Sequence, residues 1–130
     1  MDTRNKILTP EEAAAHIQDL CAQGRSLRLI TGFFDPLTPA HARRLGRLAS
    51  EDSVLTVIVT DPPDPILPLR ARAELAAALA AVDLVVPVPA EQLDEFLHRL
   101  PIAPFERGEA EDLVLRQELI RHVHTRQRAS

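Results

Sequence analysis

The chain has 130 residues, 45% of them hydrophobic and 26% charged, which suits one globular domain with one core. Aromatic residues make up only 3%, with no Trp or Tyr, so aromatic stacking on single-stranded nucleic acid is not expected. The formal net charge is -4, and without a basic block it argues against a nucleic-acid partner.

The one cysteine, Cys21, forbids an internal disulfide and fits a reducing compartment. No apolar run reaches membrane-spanning length, and the polar residues 1–6 do not read as a signal peptide. The expected location is therefore the cytoplasm, with no membrane partner. Lys6 is the only lysine, so a phosphate contact from a charged side chain must come almost entirely from Arg.

Thr9-Pro10-Glu11-Glu12 reads as a helix start, with Thr9 as cap, Pro10 in the first turn and Glu12 closing a capping box. This helix is expected to run to about Gln23, with Gly24 as its stop. Residues 27–31 read as a strand, and a helix follows from the turn at Thr38 to about Ser50. Residues 54–60 are β-branched and almost wholly apolar, as expected of a central parallel strand covered on both faces.

Asp61-Pro62-Pro63-Asp64-Pro65 must be a loop at the carboxyl end of that strand. Residues 69–81 read as a helix and residues 84–88 as a third strand. Residues 90–100 read as a helix with Leu93, Phe96, Leu97 and Leu100 on one face. Residues 101–105 connect to a last helix over 109–127, where Leu115, Leu119, Ile120 and Val123 lie at core spacing.

Alternating strands and helices predict an α/β fold: a Rossmann-like, doubly wound, mostly parallel sheet with helices on both faces. We divide the chain into an N-terminal helical extension (1–24) and a single nucleotide-binding α/β domain (25–130). The apolar face of the first helix is left either to cover the sheet or to meet a second copy in a homo-oligomer. Ligands in such sheets bind outside the carboxyl ends of the strands, the edge that holds both the Gly32 turn and the Asp61 loop.

The richest stretch is Gly32-Phe33-Phe34-Asp35-Pro36-Leu37-Thr38-Pro39-Ala40-His41. A strand, a tight glycine turn and a helix start place backbone N–H groups where a phosphate can sit. Gly32 lets the backbone approach a ligand, and the N–H groups of Phe33 and Phe34 can point at phosphates. Asp35 is expected to fix the loop by hydrogen bonds, and Phe34 to pack beneath it.

Gly32-x-Phe34-Asp35-Pro36-x-Thr38-x-x-His41 resembles the motif of the HxGH-type nucleotidyltransferases, the cytidylyltransferase-like family. Threonine replaces the first histidine in the phosphopantetheine adenylyltransferase branch too. Pro68-Leu69-x-x-Arg72, then Ala78-Leu79 and Val82-Asp83-x-Val85-Val86, is similar to a segment of the heptose and glycerol-phosphate branches. The resemblance covers residues 27–88.

It implies transfer of CMP or AMP from CTP or ATP to a phosphorylated small molecule, with release of pyrophosphate. It implies Mg²⁺ bridging the triphosphate. It assigns His41, Thr38 and Arg72 as catalytic candidates, and Gly32, Phe33, Phe34, Asp35 and His41 as nucleotide-binding ones. Arg72 would reach a substrate phosphate, while Asp83 reads as a structural residue at a strand edge.

Three positions depart from the pattern. Ala40 stands where a glycine is usual, and the Asp61 loop lacks the family's basic residue. The turn that usually holds the triphosphate corresponds to Gly108-Glu109-Ala110-Glu111-Asp112, three of whose side chains are acidic. These departures support an alternative: a catalytically inactive protein of the same fold that binds a nucleotide or a protein partner. A dinucleotide-binding module is excluded, because no Gly-x-Gly-x-x-Gly follows the first strand. No set of metal-ligand residues is evident.

Overall fold

The computed structural model describes residues 2–129. Its elements in chain order are α1 (Pro10–Ala22), β1 (Ser26–Gly32), α2 (Pro39–Leu48), β2 (Ser53–Val59), α3 (Leu69–Ala77), β3 (Leu84–Pro87), α4 (Leu93–Arg99), β4 (Glu106–Arg107) and α5 (Glu109–Ala129). A short 3-10 helix precedes α1 at Thr3–Lys6 and another precedes α4 at Ala90–Gln92. Among the described residues no helix is long and apolar enough to cross a membrane.

The four strands form one all-parallel sheet in the order β3-β2-β1-β4. Register pairs Ile30 with Val57 and Gly32 with Val59, and Val57 in turn pairs with Val85. The expected α/β architecture is therefore present, with β2 as an inner strand. Because β2 is covered on both faces, alternate residues enter two different cores. Leu55, Val57 and Val59 pack with Leu45 of α2 and with Ala73, Ala76 and Ala77 of α3. Ile58 packs on the other face with Ala13 and Ile17 of α1 and with Leu93 and Phe96 of α4.

Helix α1 and the segment before it pack against the sheet. Ala13 and Ile17 are 1% and 0% exposed, and the Leu8 backbone N–H donates to the Val85 carbonyl at 2.9 Å. The apolar stripe of α1 covers the sheet, which resolves the two destinations open to it. Helix α1 stops where Gly24 takes φ +76°. Helix α3 ends at Ala77 rather than near residue 81. In α5 the expected core face is only partly covered: Leu115 and Leu119 are half-buried, whereas Ile120 and Val123 are 39% and 43% exposed.

Chain direction across the sheet sets the position of the site. From β1 the chain steps outward through β2 to β3, then returns to place β4 on the opposite side of β1. That reversal opens a crevice at the carboxyl ends of β1 and β4, where ligands bind in sheets of this kind. The β1–α2 turn and the start of α5 both converge there.

Candidate functional site

Helix α2 begins with a capping box in which His41 takes the place usually held by Glu or Gln. The Thr38 hydroxyl accepts from the His41 backbone N–H at 3.4 Å. The Thr38 backbone N–H donates to His41 Nδ1 at 3.0 Å, and the Thr38 hydroxyl lies 2.8 Å from the same nitrogen. The ring hydrogen then belongs on Nε2, as assigned from these partners. His41 Nε2 donates to Asp112 Oδ1 at 2.8 Å, and the residue is only 2% exposed.

The same carboxylate collects the other donors of the turn. Asp112 Oδ2 accepts from the Phe33 backbone N–H at 2.7 Å and more weakly from that of Phe34 at 3.4 Å. Arg44 Nη2 donates to Asp112 Oδ1 at 3.3 Å, and its Nη1 donates to Glu111 at 3.0 Å. Two backbone amides, an imidazole and a guanidinium thus converge on one anion. That anion is a side chain of this chain.

Glycine makes the approach possible on both sides. A Cβ on Gly32 would stand 2.5 Å from Asp112 Oδ2 and 2.8 Å from the Phe34 ring. A Cβ on Gly108 would stand 2.8 Å from the Thr31 carbonyl oxygen and 2.9 Å from Arg44 Nη2. Phe34 takes φ +47°, a conformation rare for a bulky side chain. Its ring is fully buried, lies 5.2 Å from that of His41, and carries the Arg44 guanidinium 5.8 Å from its centroid.

Arg72 is placed differently from the role its motif implies. It is 0% exposed. Its guanidinium donates to the carbonyls of Leu67, Phe33 and Thr60 and to the Asp61 carboxylate. It ties the loops at the carboxyl edge together rather than facing the cleft. Asp35 accepts from the backbone N–H groups of Ile66 and Leu67, fixing the β1–α2 loop against the segment before α3. Asp83 Oδ2 accepts from the Leu55 N–H at 2.8 Å, a structural contact.

Beside Phe33 lies an open cleft of about 410 Å³, lined by Phe33, Thr60, Asp61, Leu93, Arg107 and Glu109 among others. Of the residues singled out from the sequence, Phe33 lines this cleft; Gly32 and His41, with Thr38 behind the ring, gather instead around the buried Asp112 carboxylate, and Asp35 and Arg72 hold the flanking loops. The sequence pointed to the turn of Gly108 and Asp112 but not to Asp112 filling the hollow, nor to the inward turn of Arg44. Arg44 follows His41 by three residues, so the two share a helix face, which was an available signal.

The residues present do not suit a protein-held Mg²⁺. Asp112 is engaged by donors, Asp61 is paired with Arg72, and among the described residues no group of three His, Cys, Asp or Glu side chains gathers to hold a metal. A scan against protein-family models finds no match, and neither does a search of curated proteins.

Proposed function

We propose that this chain is a catalytically silent protein of the nucleotidyltransferase type of α/β fold, which binds a nucleotide in the cleft beside Phe33. One observation carries the reading. The Asp112 carboxylate takes up the donors that a transferase would aim at its triphosphate: the Phe33 N–H, Arg44 and His41 Nε2. Nucleotidyl transfer forms no covalent intermediate on the protein, so its rate depends on positioning and on donors directed at developing charge. Donors already committed to a buried carboxylate supply neither.

The cleft supports a small ligand. Its volume of about 410 Å³ lies within the range of about 300–1,000 Å³ usual for such sites. Asp61 and Glu109 stand at its wall, each already holding an arginine (Arg72 and Arg107), and the lone pairs left on the two carboxylates suit ribose hydroxyls. The competing reading, active transfer of CMP or AMP, draws on a separate fact: the donors of the turn remain assembled around an anionic group.

Thermal unfolding with CTP, ATP, cytidine and adenosine, each with and without Mg²⁺, tests the proposal. A ligand that binds only the folded state raises its stability, by about 2.7 kcal/mol at ~100 times Kd. The expected result is a higher melting temperature with a nucleotide and no pyrophosphate released when phosphorylated small molecules are added. Absence of any shift at millimolar ligand would remove nucleotide binding. Pyrophosphate release that His41→Ala abolishes would establish transfer instead.

A further inference from the structure

Helix α5 is long but poorly rooted by apolar contact. Val114, Ile120 and Val123 are exposed, and Asp112 is 3% exposed. What holds the helix is polar: the four donors on Asp112, the Arg44–Glu111 pair at 3.0 Å, and Arg116 donating to the carbonyls of Pro63 and Asp64. The first turn of the helix is thus fixed over the β1–α2 turn by donors that recognise an anion.

Four donors match the lone pairs of the Asp112 carboxylate, and Arg44 carries one further N–H without a partner. Arg44 Nε is buried and has no acceptor, although the residue is 6% exposed. A planar carboxylate offers two oxygens; a terminal phosphoryl group offers three, with more charge to share among the same donors. The absent Cβ atoms of Gly32 and Gly108 leave space for the anion and for Arg44.

We propose that Asp112 is an intramolecular stand-in for a phosphoryl group, and that a ligand carrying such a group displaces it and frees the first turns of α5. The proposal takes from the preceding reading the place of the phosphate, and nothing about the nucleoside. Displacement is a competition. The apparent affinity of the wild-type hollow for phosphate is lowered by the fraction of time in which Asp112 fills it.

The test uses the full chain as wild type, Asp112→Ala and Asp112→Asn, with pyrophosphate and inorganic phosphate as probes against sodium chloride of equal ionic strength. Asp112→Ala should be stabilised at a pyrophosphate concentration at least ~10-fold lower than the wild type requires. Asp112→Asn keeps the shape and lowers the charge, so it should fall between them and stands in if the alanine variant does not fold. In the wild type, hydrogen exchange should quicken over residues 109–116 and slow at Phe33 as pyrophosphate is added.

Equal responses of wild type and variants overturn the proposal, as does a pyrophosphate effect no larger than that of chloride, or unchanged exchange over 109–116. Nucleoside binding without pyrophosphate binding overturns it while leaving the nucleotide reading intact. Pyrophosphate binding with no response to cytidine, adenosine, CTP or ATP beyond that of pyrophosphate upholds it and removes the nucleotide reading.

Discussion

At the scale of single residues, two contacts decide what the site is. Gly32 has no side chain, so the Asp112 carboxylate can approach where a Cβ would stand 2.5 Å away. Gly32→Ala should cost about 1–3 kcal/mol through overpacking. Part of that cost should vanish in an Asp112→Ala background, and the rest should remain because the Phe34 ring also lies 2.8 Å from the added carbon. Urea unfolding of both singles and the double variant measures this coupling. Arg72 is the second case. Its guanidinium serves three backbone carbonyls and the Asp61 carboxylate. Arg72→Met should therefore cost about 3–5 kcal/mol in the same measurement, whereas a residue reserved for substrate would leave stability nearly unchanged. The motif implied that Arg72 reaches a substrate phosphate, whereas its guanidinium is taken up by loop carbonyls and Asp61. What the motif did not convey is that the nearest partners of a buried guanidinium are the loop carbonyls around it, and these depend on how β1, β2 and α3 meet.

At the scale of elements, the two ends of the chain show opposite ways of fixing a helix. Helix α1 is rooted by Ala13 and Ile17 in the core and started by its capping box. The Glu12 carboxyl lies below the ordinary carboxylate range, chiefly because the Thr9 backbone N–H donates to it and next because of the Thr9 hydroxyl. A depressed folded-state value means that the contribution is present above the unfolded pKa and fades as pH falls through the folded one. The stability difference between wild type and Glu12→Gln should thus be constant near neutrality and shrink in acid, as melting curves across that pH range would show. Helix α5 is rooted instead by a buried carboxylate and exposes Val114, Ile120 and Val123. Its amides should exchange by local opening well before those of β2. Strands, caps and the helices from β1 to β3 were legible because the signals are local: alternation, β-branching, Thr-Pro starts. The apolar spacing of α5 was legible for Leu115 and Leu119, which are half-buried, and not for Ile120 and Val123, because spacing shows which residues share a face and not how far a cover extends.

At the scale of the whole molecule, the site exists because the chain reverses direction across the sheet. With β4 returned to the free side of β1, the start of α5 comes over the β1–α2 turn, and residues 71 apart in sequence become hydrogen-bonded partners. No local pattern carries that distance, so the sequence pointed to an anion hollow and to an acidic helix start without revealing that one fills the other. The central claim is this filling. Comparing amide and imidazole nitrogen–proton spectra of wild type and Asp112→Asn, without ligand, tests it most directly. The account predicts a Phe33 amide proton far downfield in the wild type, a His41 ring bearing its hydrogen on Nε2, and movement of both signals on substitution. A Phe33 amide at an ordinary position that does not respond to the substitution would contradict it.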